Sequence, residues 1–326
     1  MKRVITTGLS LGAVMSLGTI GAGQVASSAS AAPTTYYGCV VGGVLSNVSV
    51  LSHGCAKGKV FQKGSFAHAN FANANLTGAN LTGANLATAN LRGVTSGKII
   101  GAPSALPAGW ALDRGFLLGA GAQLTSANLS GLQLQHLNLS GANLLYANLT
   151  NTVFANTNLS GASLAFANIT GTNFATATLN GVVSSYENGA PASLPTGWQL
   201  YNGYLVGVGM SAGGAQMNAL SAPGANLSGA FLGNALLVGA DFTGANLKKA
   251  VLASASLGTT NFTGANLTGA NVSNADFSGA NLTNANFTGA NLSGARLLSV
   301  TTIGTIFTGA ICPDGLPFSN PGQNCE

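Results

Sequence analysis

Leucine or phenylalanine returns at every fifth position over long stretches of this chain. The clearest run is Leu227, Leu232, Leu237, Phe242, Leu247, Leu252, Leu257, Phe262, Leu267, Val272, Phe277, Leu282, Phe287, Leu292 and Leu297. Alanine stands two residues before most of them, as at Ala225, Ala240, Ala265, Ala280 and Ala295. A five-residue period matches neither the turn of an α-helix nor the alternation of a strand. It is the period of a coil whose sides are each five residues long, so the chain reads first as a repeat structure.

Three blocks carry the period: one through Phe66, Phe71, Leu76, Leu81, Leu86 and Leu91, a second between 124 and 179, and the run above. The strongest copies read Ala-Asn-Leu-Thr-Gly or Ala-Asn-Leu-Ser-Gly, as at 74–78, 265–269 and 290–294. This pattern resembles the pentapeptide-repeat family, A(N/D)LXX, over about half the chain. The resemblance implies an all-β fold, a right-handed quadrilateral parallel β-helix with four pentads per coil. The central Leu or Phe and the preceding Ala would point inward, and the other three positions outward.

Packing agrees with that assignment. A narrow tube has room on each side for one large and one small apolar side chain, and glycine suits a corner that other residues resist. Coils would stack at the strand spacing of ~4.8 Å. Residues one coil apart then superpose, so Phe154 is expected to stack on Phe174 and Phe242 on Phe262. In some pentads Leu132, Leu137, Thr152, Thr157, Thr172 and Thr260 replace the inward alanine. These imply local widening, and each buried threonine must find an acceptor.

The 326 residues are 46% hydrophobic and only 5% charged. Such low charge would suggest disorder if the apolar residues were scattered. Their strict register indicates an ordered core with a neutral polar exterior instead. Lys2 and Arg3, the apolar stretch from 4 to 22 and the Ala29-Ser30-Ala31 site form a secretory signal, with cleavage expected after Ala31. The expectation is a secreted or cell-surface protein with no membrane span in the mature chain.

The resulting organisation is a signal peptide at 1–31, an N-terminal cap at 32–63 and pentad blocks at 64–93, 122–181 and 225–311. Insertions occupy 94–121 and 182–224, and a C-terminal cap 312–326. If four pentads make a coil, the blocks make ~8 coils and their ends lie roughly 40 Å apart. Bonded cysteines need Cα atoms within ~7 Å. The expected disulfides are Cys39–Cys55 and Cys312–Cys325, one stapling each cap, unless a dimer crosses them. Cys312-Pro313-Asp314-Gly315 also resembles the tails of secreted bacterial members.

The insertions are related. Leu106-Pro107-Ala108-Gly109-Trp110 matches Leu194-Pro195-Thr196-Gly197-Trp198, and each continues into a hairpin signal, Asp113-Arg114-Gly115 or Tyr201-Asn202-Gly203. Trp110 and Trp198 either pin these excursions to the wall or form a binding surface. The stretch 210–224 reads as a Gly- and Ala-rich loop.

Catalysis finds no support. The carboxylates Asp113, Glu187, Asp241, Asp276, Asp314 and Glu326 form no local pair, and His53, His68 and His136 are dispersed. No nucleophile elbow or metal-ligand spacing accompanies them, so no catalytic residue, cofactor or metal is expected. The best-understood members of the resembled family bind a DNA topoisomerase by resembling DNA, which needs an acidic surface. This chain carries 11 basic and 6 acidic residues, and Asn where those proteins favour Asp. The expectation is a non-enzymatic scaffold for an unknown protein or cell-envelope component, with no nucleic-acid partner. A Pro/Gly/Asn-rich C-terminus, in place of the helix through which some relatives dimerise, favours a monomer. The alternative is adhesion to a repetitive surface, cell-wall polysaccharide or ice, through an outward ladder of Thr243, Thr263 and Thr283.

Overall fold

The computed structural model describes Gly21–Ala26, Thr35–Val41, Val44–Ser49, residues 66–317 and Cys325. Each pentad uses the same bonds. In the one centred on Phe242, the Phe242 N–H donates to the Asn261 carbonyl (2.8 Å) and the Gly244 N–H to that of Thr263 (2.8 Å). The Asn261 N–H donates back to Ala240 (2.9 Å). A four-residue turn closed by Ala245 N–H on the Phe242 carbonyl (2.9 Å) then bends the chain. Its third residue, Gly244, has φ +64°, which glycine adopts without strain.

Parallel bridges join residues 20 apart in four rows, as in Asn226↔Asn246, Phe231↔Val251, Leu236↔Ser256 and Asp241↔Asn261. The fold is a β-solenoid, and the described residues contain no helix.

The chain divides into two compact units. The first comprises Met1–Leu129, Leu134–Ala147 and Asn156–Leu159, the second Ser130–Gln133, Asn148–Ala155 and Ser160–Glu326. In the first, Phe71, Leu76, Leu81, Leu86 and Leu91 fill the core. This unit also holds a three-stranded antiparallel sheet in the order β1 (Gly21–Ala26), β2 (Thr35–Val41), β3 (Val44–Ser49). Strand β1 falls inside the expected signal and pairs antiparallel with β2. The expected Cys39–Cys55 bond lies outside the described residues, because Cys55 does.

The second unit has the longer core, in which Leu227, Leu232, Leu237, Phe242 and their successors as far as Leu292 are buried, as are Ala230, Ala235 and Ala240, while Ala225 and Leu297 are half-buried. The expected ring stacks are present: Phe154–Phe174 at 5.3 Å between centroids and Phe242–Phe262 at 5.4 Å. Buried threonines find acceptors in the carbonyl of a central leucine one turn back. Thr172 Oγ1 donates to Leu149 (2.7 Å) and Thr260 Oγ1 to Leu237 (2.9 Å). Within the first unit Thr157 does the same to Leu134. Leu137, expected inward, is only half-buried. At the C-terminus Cys312 and Cys325 are bonded, with Cα atoms 5.0 Å apart.

The insertions stay in the wall. Asn80↔Ile100 and Asn85↔Ala105 continue the ladder through the first, and Asn168↔Asn188 and Asn173↔Ser193 through the second. Each then adds a short antiparallel hairpin: β4 (Ala111–Asp113) with β5 (Phe116–Leu118), and β6 (Gln199–Tyr201) with β7 (Tyr204–Val206). The rows then resume, linking Thr95 to Gln123 and Val183 to Ser211, both over the same lengthened interval.

Residues 210–224, expected to be a loop, are instead regular solenoid, bridged through Ser211↔Phe231, Gln216↔Leu236 and Ser221↔Asp241. The third block therefore starts earlier than 225. Here the two inward slots exchange sizes: Met210 precedes buried Ala212, and Leu220 precedes buried Ala222. The filled volume is kept while the five-residue leucine signal disappears.

Candidate functional site

The two tryptophans follow matching turns. Trp110 N–H donates to Pro107 and Trp198 N–H to Pro195, both at 3.0 Å, across Gly109 (φ +78°) and Gly197 (φ +79°). These are type II-like turns, which need positive φ at the third position. The Trp110 indole lies against Gly119 and the Trp198 indole against Gly207, where a Cβ would collide with the ring. Both rings are half-buried on the core of their own unit. The contacts are those of a pin that ties each insertion to the wall.

The threonine column is present, and its hydroxyls are engaged. Asn261 Oδ1 accepts both the backbone N–H (3.1 Å) and the hydroxyl (2.7 Å) of Thr263. Asn281 does the same for Thr283, and Asp241 for Thr243. This local turn is one that Asn and Asp favour. Asn261 Nδ2 then donates to Thr243 Oγ1 (2.8 Å), and Asn281 Nδ2 to Thr263 Oγ1 (3.0 Å). Each of those threonines thus gives its proton to its own turn and accepts from the next.

An outward aromatic face was missed from sequence. Tyr146, Phe166 and Tyr186 fall at the third turn position, most often Gly or Asn and elsewhere also Ser, Lys, His or Thr, and have φ of 59°, 58° and 55°. A bulky residue in this region is an outlier. All three are exposed. In the second unit Phe166 stacks on Tyr186 (5.4 Å between centroids, planes at 19°), and Tyr186 tilts against Tyr204 (5.6 Å, 51°). Phe231 stands in a wall slot that is Asn in many turns, 48% exposed, its ring folded over Gly213. Between the rings of Tyr186, Tyr204 and Phe231 lies an open cleft of about 380 Å³. Tyr204 comes from β7 and is buried. Burial, with the Tyr186 hydroxyl nearby, pushes its pKa up to about 12. A spacing of 20 among Tyr146, Phe166 and Tyr186 was the signal available in the sequence.

Beneath the cleft, Glu187 is a buried carboxylate. The Ser184 hydroxyl and the Ser185 N–H donate to it, both at 2.9 Å, and Ser184 Oγ accepts the Leu205 N–H at 2.6 Å. Glu187 N–H donates to the Gly203 carbonyl (2.9 Å), so the set latches hairpin β6–β7 to the wall. Burial pushes its pKa up to about 7, against the opposing pull of the Ser184 and Ser185 hydrogen bonds. In the first insertion Ser96 plays the part of Ser184, accepting the Leu117 N–H (2.8 Å).

Among the described residues, no group of three or more His, Cys, Asp or Glu could hold a metal ion. Among them no helix is long and apolar enough to cross a membrane.

A four-row ladder of five-residue steps with paired inward Ala and Leu defines a class, and the chain belongs to the pentapeptide repeat family. Its pattern, described as pentapeptide repeats, matches in 8 copies over residues 60–95, 120–155, 142–181, 224–258 and 260–297. Among solved structures, the chain is similar to HetL from the cyanobacterium Nostoc sp. strain PCC 7120, a pentapeptide repeat protein involved in heterocyst differentiation regulation. The identity is 27% over 77% of this chain and 92% of HetL, with a TM-score of 0.32. A pentapeptide repeat protein of the Arabidopsis thaliana thylakoid lumen is 31% identical over 26% of this chain and 63% of its own, with a TM-score of 0.19. QnrB1, a plasmid-mediated fluoroquinolone resistance protein, is 15% identical over 76% of this chain and 91% of its own, with a TM-score of 0.17. No curated protein matches the chain significantly.

Proposed function

We propose that the chain is a secreted, non-enzymatic interaction scaffold, and that its partner docks on the face bearing Phe166, Tyr186 and Phe231. The coils of this reading are right-handed and four-sided, as in the resembled family, and the molecule acts as a monomer. The observation that carries it is two exposed, mutually stacked aromatics on left-handed backbone, Phe166 and Tyr186, at a position that glycine or asparagine often holds, with exposed Phe231 in the same unit. Strain of this kind, of order 1 kcal/mol or more per residue, is held where function uses it. The basic start and the Ala29-Ser30-Ala31 site support export, with Ala32 as the first mature residue. Mature protein that still begins upstream of Ala32 would contradict that step.

The test is affinity capture from culture medium and cell envelope with wild type and a Tyr186→Gly/Phe231→Asn variant. Both changes restore the residue types common at those slots. A partner held by wild type and lost with the variant is expected. Capture that ignores the variant would overturn the docking face. Adhesion through Thr243, Thr263 and Thr283 is the weaker alternative, since their hydroxyl protons already serve the wall.

A further inference from the structure

Resting on the docking face just described, we propose that the cleft between Tyr186, Tyr204 and Phe231 binds an uncharged sugar unit of a glycan chain. Its size, about 380 Å³, falls within the range of small-ligand sites, roughly 300–1,000 Å³. Val183 and the rings of Tyr186 and Phe231 supply apolar surface, while Ser185, Ser211 and Gln216 supply neutral donors and acceptors. No Asp, Glu, Lys or Arg lines it.

That set of side chains discriminates by chemistry. A phosphate, nucleotide or acidic peptide entering the cleft would lose hydration without meeting a countercharge. A wholly apolar ligand would leave the serine and glutamine groups unpaired. A pyranose presents an apolar C–H face and a rim of hydroxyls, which matches ring surface beside neutral hydrogen-bonding groups.

The cleft is also set before any ligand arrives. Tyr186 is fixed between Phe166 and Tyr204 by ring contacts at 5.4 and 5.6 Å between centroids. Gly213 leaves space for the Phe231 ring to lie flat against the wall. Fixing these rings in advance removes an ordering cost from binding. The site needs the second hairpin, because Tyr204 belongs to β7.

The experiment is calorimetric titration of the full chain with cellohexaose, chitohexaose, xylohexaose and maltohexaose. A sedimentation assay on insoluble cellulose and chitin accompanies it. The variants are Tyr186→Gly and Phe231→Asn, with Thr263→Lys as a remote control. Melting temperatures confirm folding, and Tyr186→Gly relieves a left-handed backbone, so loss of fold is not expected. At least one neutral glycan should bind, weakened ~10-fold or more by each cleft variant and unaffected by Thr263→Lys. Binding should barely change between about 50 and about 500 mM salt, as no ion pair contributes. Binding to the soluble hexamer points to a free oligosaccharide, and binding only to the solid to a packed polysaccharide.

The proposal fails if no neutral glycan binds the folded wild type, or if both cleft variants retain full binding. It fails too if affinity falls steeply with salt. A protein partner captured through Tyr186 and Phe231, without any glycan binding, would overturn this inference and leave the docking face standing.

Discussion

Phe154 and Phe174 lie one solenoid turn apart, their ring planes within 7° and their centroids 5.3 Å apart. Both are fully buried. Phe174→Ala removes the stack and opens a cavity that the stiff wall cannot close, so a loss of ~3–5 kcal/mol is expected. Urea unfolding measures it. A loss below ~1 kcal/mol would mean that the interior relaxes around the gap.

Gly207 touches the Trp198 ring where any Cβ would overlap it. Gly207→Ala should therefore displace the indole and cost ~1–3 kcal/mol by overpacking. Adding Trp198→Ala should relieve the clash, so the double variant shows strong non-additivity in thermal melts. Gly264→Ala, with open space at φ +66°, is the comparison and should show only backbone strain of about 1 kcal/mol. Equal effects at both glycines, additive with Trp198→Ala, would rule out the pin.

Glu187 makes stability depend on pH. Its carboxyl titrates near 7 when folded, against 4.5 for the ordinary group. Between those values the folded chain keeps a proton that the unfolded chain has lost. Stability is therefore favoured below about pH 4.5 and falls as pH rises through about 7, by up to roughly 3 kcal/mol. Glu187→Gln should flatten this slope and be more stable than wild type at pH 8, with little difference at pH 4. Parallel stability curves for the two proteins would refute the assignment.

The exchanged slots at Leu220 and Ala222 invite a double-mutant cycle. Leu220→Ala should cost ~2–4 kcal/mol by leaving a void, and Ala222→Leu alone should overpack. The combined variant rebuilds the common Ala-x-Leu order and should recover most of the loss. Simple additivity would show that the two side chains do not share one volume.

The sequence revealed the wall wherever size order was conserved. Leu237, Phe242 and Leu247 announce their burial by spacing alone. The same reading failed at 210–224, because Met210 and Ala212 fill the slots in reverse and periodicity tracks residue type, not volume. The threonine column was visible as a column. Its spent hydroxyls were not, because the bond from Asn281 to Thr263 crosses between turns. The cleft was hidden for a related reason: Tyr204 reaches Tyr186 only because hairpin β6–β7 folds back onto the wall. The Glu187 latch depends on that same return, so one carboxylate in a polar stretch looked unremarkable.

The ladder rows of the second unit repeat every 20 residues with the same bonds at each step. Each turn is thus both product and template, and size in this molecule is quantised. Excising one whole turn, such as 246–265, would join Ala245 to Asn266 and restore the Ala-Asn junction already found there. Removing any number of residues that is not a multiple of five would put leucines on corners and asparagines in the core. Such a gene can grow or shrink by exchange among segments that share one five-residue pattern, and folding itself would screen out the lengths that break phase.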